Sequence, residues 1–174
     1  MPEYEYTPLN LCEENTKLVW LLKGDFNDEI RCEMFLAWLG DDFGMPCEAL
    51  SYIWGDLNST AKITLDDCTL EITTNLEDAL CHLGCSKMDR IMWIDAICIN
   101  QKHPQKRGHQ VQRMRHIYKE AEQVLVWLGC STTETDNLMD YLIQVQRESI
   151  WIPSAILPRP KVATDEGIWC SSAL

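Results

Sequence analysis

The segment Ile91-Met-Trp-Ile-Asp-Ala-Ile-Cys-Ile-Asn-Gln101 is nearly unbroken apolar, β-prone sequence carrying one acid, Asp95, and ending at the polar pair Asn100-Gln101. An apolar run without alternation predicts a strand covered on both faces, as in a parallel sheet. In such sheets ligands bind in the crevice beyond the carboxyl ends of the strands. Asp95, Asn100 and Gln101 are therefore expected at or near that end. The competing reading of Asp95 is a buried acid that accepts backbone hydrogen bonds and only fixes a loop.

Two further segments are of the same kind. Cys47-Glu-Ala-Leu-Ser-Tyr-Ile-Trp-Gly55 is a short apolar strand that ends in polar and aromatic groups. Ser51 and Tyr52 offer hydroxyls, Trp54 a flat surface, and Gly55 a sharp turn of the backbone. Gln123-Val-Leu-Val-Trp-Leu-Gly129 closes in the same manner. Apolar strands closed by turn chemistry and separated by helical segments predict an α/β fold, with a mainly parallel central sheet flanked by helices.

Around this core the chain divides into a lead-in over residues 1–16, a domain over 17–148 and a tail over 149–174. Lys17–Leu22 and Glu29–Ala37 read as strands joined across Gly24-Asp25. Ile63-Thr-Leu and Leu70-Glu-Ile, around Asp66-Asp67, read as an added hairpin. Thr74-x-x-Glu77 has the form of a capping box opening a helix whose apolar face is Leu76, Ala79, Leu80 and Leu83, stopped by Gly84. A second helix, from about Lys106 to Ala121, sets Val111, Met114, Tyr118 and Ala121 on one stripe. Arg107 and Gln110 lie one turn apart at its start, where free N–H groups favour an anion. Residues 134–148 read as a third helix. Pro153, Pro158 and Pro160 predict no regular element in the tail.

At 174 residues, with 46% hydrophobic residues and seven tryptophans, the chain fits one packed domain. No apolar stretch reaches the roughly 18 residues needed to span a bilayer. The acidic, polar start Met1-Pro-Glu-Tyr-Glu-Tyr does not read as a secretory signal. The nine cysteines are odd in number, and several lie in apolar surroundings, such as Cys98 between Ile97 and Ile99. They read as reduced thiols of a cytoplasmic protein. Cys81-His-Leu-Gly-Cys85 has no second Cys/His pair at a zinc-like spacing, so no metal is expected.

Charge is uneven. Residues 102–119 hold six Lys/Arg and no acid, which leaves 9 bases against 27 acids, or −18, on the remainder. An acidic surface repels nucleic acid, so none is expected as a partner. The basic segment suits a nucleotide, another anionic ligand or the acidic face of a protein, or pairs with acids of the chain itself.

Ala49-Leu-Ser-Tyr-Ile-Trp-Gly-Asp56, Trp93-Ile-Asp-Ala-Ile-Cys-Ile-Asn-Gln101, Gln110-Val, Met114, Ile117-Tyr118, Ala121 and Val126-Trp-Leu-Gly129 together resemble the heterokaryon incompatibility (HET) domain of filamentous fungi. The resemblance covers about residues 17–130, with three blocks in family order. It implies a self/non-self recognition module whose activation leads to cell death, through self-association or protein partners. It also implies a distant likeness to TIR domains, and so a TIR/flavodoxin-like core. The first strand of TIR domains likewise ends in Ser-Tyr, and some of them cleave NAD.

Under that resemblance Asp95 is the candidate catalytic acid, and Ser51, Tyr52, Trp54, Asn100, Gln101, Arg107 and Gln110 are candidate binding residues. NAD is the ligand or substrate it suggests. Two departures from the family pattern bear on activity. The acids that usually follow Ile-Asn-Gln are replaced in Lys102-His-Pro-Gln-Lys-Arg107, and the usual Gln-Glu segment does not occur near Ile168–Leu174. Three readings stay open on the residues: a signalling module, a TIR-like NAD glycohydrolase, and a truncated family copy without activity.

Overall fold

The computed structural model describes residues 1–7, 15–38, 45–84, 87–102, 113–130 and 132–148, with the strand backbone at 160–161 and 169–171. Along the chain run β1 (Asn15–Leu21), β2 (Arg31–Trp38), β3 (Glu48–Tyr52), β4 (Thr60–Leu65), β5 (Cys68–Thr73), α1 (Thr74–Leu83), β6 (Arg90–Trp93) and the one-turn helix α2 (Asp95–Cys98). Helix α3 is described over 113–120. After it come β7 (Gln123–Trp127), α4 (Thr133–Glu148), β8 (Pro160–Lys161) and β9 (Trp169–Ser171). β8 and β9 lie in the stretch for which the prolines predict no regular element.

All strands join one sheet in the order β5-β4-β2-β1-β6-β3-β7-β9-β8. The three segments that read as core strands lie side by side: β3 pairs in parallel with β6 on one edge and with β7 on the other. The expectation of a mainly parallel sheet is corrected. Five of the eight strand pairings are antiparallel and three parallel. The reason is connection length. A parallel neighbour needs a crossover of a dozen or more residues. The nine residues between β1 and β2 allow only an antiparallel return, in which Asn15 faces Trp38 and Leu21 faces Cys32. β1 then meets β6 antiparallel as well, through Val19 and Met92.

A second correction concerns the segment 91–101. Its strand ends at Trp93, and Asp95–Cys98 form a helical turn in which the Cys98 N–H donates to the Ile94 carbonyl at 2.7 Å. Ile94, Ile97 and Cys98 are all buried at the i, i+3, i+4 spacing of a helix face. An unbroken apolar run satisfies both periods, so only the tertiary setting separates them.

The core unites both regions of the sheet with α1. Leu18, Val19, Leu50, Ile63, Leu65, Leu76, Leu80, Met92, Ile94 and Ile97 are all essentially inaccessible. Burying each such side chain contributes about 1.5–3 kcal/mol before the entropy of ordering is subtracted. The predicted apolar face of α1 is the buried one. Its start differs from the reading as a Thr74 capping box: the cap position is Thr73, which makes no side-chain cap bond, and the Thr74 hydroxyl donates instead to Ser59 Oγ at 3.1 Å. The hairpin β4–β5 turns on Asp66 and Asp67, both left-handed, with φ of 49° and 58°. The described N-terminal residues run beside β5, with Tyr4 N–H donating to Thr69 O and Thr69 N–H to Pro2 O. Among the described residues no helix is long and apolar enough to cross a membrane.

Candidate functional site

β3, β6 and β7 are parallel neighbours, so their carboxyl ends open on the same side. After Tyr52 the chain leaves β3 through Ile53-Trp54 and turns at Gly55, whose φ of +75° is open to glycine at little cost. A Cβ on Gly55 would lie 3.3 Å from the Asn75 Cβ, so the turn is also tight against α1. This turn carries the Trp54 indole back toward the end of β6. There Trp54 Nε1 donates to Asp95 Oδ2 at 3.0 Å.

The other carboxylate oxygen, Asp95 Oδ1, accepts the Ala96 N–H at 2.7 Å at the opening of α2. Gln101 Nε2 donates to the Asp95 backbone carbonyl at 2.9 Å and closes α2 onto its own start. The Tyr52 hydroxyl is buried beside this carboxylate and donates toward it. Burial, with the negative charge of Asp95 second, pushes its phenol far above the ordinary range. Asp95 is itself half-buried. Burial raises its pKa, and the bonds from Trp54, Ala96 and Tyr52 oppose the rise without cancelling it.

Tyr118 on α3 completes the cluster from behind the strand. Its hydroxyl donates to Leu50 O at 3.0 Å, its ring meets Trp93 edge-on at 5.4 Å, and the Ser51 hydroxyl lies beside its oxygen. Burial, then the charge of Asp95, pushes this phenol up to about 12. Asn75 does the same work on the other side. Its amide nitrogen donates to Ile53 O, and its oxygen accepts from Trp127 Nε1 at 3.3 Å. Tyr6 reaches in from the N-terminal segment, its hydroxyl donating to Ile97 O at 2.9 Å.

Of the residues expected to form a site, the fold brings together Ser51, Tyr52, Trp54, Asp95 and Gln101. Asn100 is differently engaged: its Oδ1 accepts the Lys102 N–H at 3.0 Å, which makes it a turn residue. Arg107 and Gln110 lie outside the described residues, as does the start of the helix they were placed on. Asn75, Tyr118 and Tyr6 were not among the expected residues. Each acts through hydrogen bonds to residues distant in sequence, contacts without local sequence signature. Tyr118 alone had a signal, as part of the Ile117-Tyr118 block.

The arrangement offers one half-buried carboxylate with a raised pKa, a buried phenol beside it, and an indole that clamps the acid. Such a set can hold a proton or accept a donor from a ligand. Among the described residues, no group of three or more His, Cys, Asp or Glu is placed to hold a metal ion. The described cysteines are free thiols.

Comparison with known proteins gives these residues a context. No solved structure matches the chain. The Neurospora crassa protein "Heterokaryon incompatibility protein 6, OR allele" is 37% identical over 113 residues, which cover 58% of this chain and 17% of that protein. The chain therefore spans only a small part of the length of this relative. The family described as "Heterokaryon incompatibility protein (HET)" matches residues 47–165, from the start of β3 past β7 and α4, and so includes Tyr52, Trp54, Asp95, Gln101 and Tyr118. The match takes in well over half of the chain, which belongs to the heterokaryon incompatibility family.

Proposed function

We propose that this chain serves fungal self/non-self recognition as a signalling module, in which the cluster around Asp95 sets the active conformation and protein contacts or self-association transmit it toward cell death. One observation carries this reading. The family's signature segments, 41 residues apart at Trp54 and Asp95, meet in one hydrogen-bonded cluster at the carboxyl ends of parallel strands. A signature that only built the core would be apolar. Here the side chains that meet are an acid, an indole, a phenol and an amide.

The test is induced expression of the chain in a filamentous fungus, scored for growth arrest and loss of compartment viability. Wild type is expected to arrest growth. Asp95→Asn and Trp54→Phe, verified as folded, are expected to relieve the arrest. Equal toxicity of all three would overturn the assignment of the response to this cluster. Absence of toxicity from the wild-type chain would overturn the signalling reading.

A further inference from the structure

Strand β2 has one edge paired along its length and the other mostly bare. Its inner edge follows β1 from Asn15↔Trp38 to Leu21↔Cys32. Its outer edge meets β4 only at Arg31 and Cys32, because the chain then turns away through Asp66-Asp67. Leu22 N–H donates to Arg31 O on the inner side, and Asp66 N–H donates to Cys32 O on the outer side. By alternation, Met34, Leu36 and Trp38 also direct their backbone groups outward. Asp66 Oδ1 accepts the Met34 N–H at 2.9 Å. Beyond that bond, no backbone group of the described residues meets the Met34 carbonyl, Leu36 or the Trp38 N–H.

Among the described residues, the edge beyond Met34 has few of the features by which sheets refuse a partner. Met34-Phe35-Leu36-Ala37-Trp38 contains no charge and no proline, and Leu36 and Trp38 are 61% and 58% exposed. Beside it lies a cleft of about 280 Å³. Its floor is aromatic, with Trp20 and Phe35 at 5.0 Å between ring centroids. Its rim holds three acids, Glu33, Asp66 and Asp67, against one base, Arg31. An aromatic floor under an acidic rim suits a cation.

We propose that the outer edge of β2 accepts an extended, basic segment of a partner protein as an added strand. A Lys or Arg side chain of that segment seats on Trp20 and Phe35, against Glu33, Asp66 and Asp67. Main-chain bonds to Leu36 and Trp38 supply affinity, and the acidic cleft supplies selectivity. A second copy of this chain is a separate outcome of the test below, since its net charge of −12 opposes approach while its residues 102–119 hold six Lys/Arg. The proposal names a partner chemistry for the signalling reading and rests on it only for its biological meaning, because the edge is separate from the Asp95 cluster.

The test uses the full chain and two capped pentapeptides, Thr-Val-Lys-Val-Thr and its twin with Glu in place of Lys. The lysine peptide is expected to bind at least tenfold more tightly than its twin, with affinity falling as salt rises. Leu36→Pro removes an outward N–H without touching the ladder to β1, and is expected to weaken binding at least tenfold at an unchanged thermal midpoint. Glu33→Lys with Asp67→Lys, whose fold does not depend on that proline, is expected to reverse the preference between the peptides. Failure of the lysine peptide to bind, equal binding of both peptides, or unchanged selectivity in the charge-reversed variant overturns the proposal. So does a dimer in sedimentation that Leu36→Pro dissociates, which would assign the edge to a second copy. None of these results bears on the toxicity of the Asp95 and Trp54 variants, so the two readings fail separately.

Discussion

Trp54 Nε1 and Asp95 Oδ2 stand 3.0 Å apart and tie the end of β3 to the end of β6. Strand pairing between β3 and β6 covers only Glu48↔Met92 and Ala49↔Trp93, so this bond holds the two strand exits together where the ladder has stopped. A second brace lies at the opposite end of the same pair. Arg90 forks onto Glu48 at 2.7 and 2.8 Å and also donates to Leu83 O at 2.9 Å, which adds the end of α1. A short parallel pair is thus clamped by charge-assisted bonds at both ends.

The first prediction concerns pH. Burial raises the Asp95 pKa above its ordinary 3.8 in the folded chain. Between that value and the raised one, the folded state binds more protons than the unfolded state. Stability therefore falls as pH rises through this window, and the loss is complete above it. Asp95→Asn removes the titration and is expected to flatten that part of the profile. Urea midpoints from about pH 4 to about pH 7 check it. Parallel profiles for the two proteins would show that Asp95 does not titrate there.

The second prediction isolates the clamp. Trp54→Phe keeps an aromatic ring but deletes the donor to a half-buried carboxylate. A hydrogen bond to a charged group contributes about 1.5–3 kcal/mol. A loss in that range is expected at neutral pH, and a smaller one in the Asp95→Asn background, because a neutral amide oxygen accepts the indole N–H more weakly than a carboxylate does. Additive losses in the double variant would mean that the indole acts through packing alone.

Much of this arrangement is legible in the residues. The three core strands, the first two strands, the hairpin at Asp66-Asp67 and the apolar face of α1 each carry a local period or a turn signal. Gly55 and Gly129 both adopt the positive φ that their places at strand ends predict. What is not legible is non-local. The parallel or antiparallel sense of β1 against β6 depends on neighbours distant in sequence, and a run such as Ile94–Ile99 satisfies strand and helix alike. The site shows the same division. Tyr52, Trp54, Asp95 and Gln101 lie within the apolar segments that betray them, whereas Asn75 and Tyr6 enter by long-range bonds.

The third prediction concerns the thiols. Cys32, Cys47 and Cys98 are buried, and burial pushes each up to about 12. Little thiolate forms on any of them near neutral pH, and reagents have no path to them. Cys130 is exposed. Titration with an aromatic disulfide is expected to modify Cys130 at once and the three buried thiols only after urea is added. Fast labelling of Cys98 in the folded chain would contradict its burial at the end of α2.

The fourth prediction is local to the hairpin. Asp67 holds a φ of 58° in a two-residue turn whose second place glycine ordinarily fills. Asp67→Gly relieves that backbone cost and is expected to stabilise the chain by roughly 0.5–1 kcal/mol in chemical denaturation. A loss of stability instead would show that the Asp67 side chain contributes a compensating interaction.

The last prediction concerns NAD. Cleavage of its glycosidic bond passes through a cation-like centre, which a nearby carboxylate must stabilise. Asp95 is the acid that the cluster offers, and its two oxygens already accept from Trp54 and Ala96. Burial further disfavours its charged form. The segment after Gln101, where the family usually carries acids, reads Lys102-His-Pro-Gln-Lys-Arg107 and brings only positive charge. That sequence adds no carboxylate to stabilise a developing cation, and its positive charge favours an anion. The chain is therefore expected to retain a nucleotide weakly and to release no nicotinamide above a protein-free control. Incubation of the purified chain with NAD, followed by chromatography of nicotinamide, checks this. Turnover that disappears in Asp95→Ala would show instead that this carboxylate, despite its two donors, still reaches a sugar carbon.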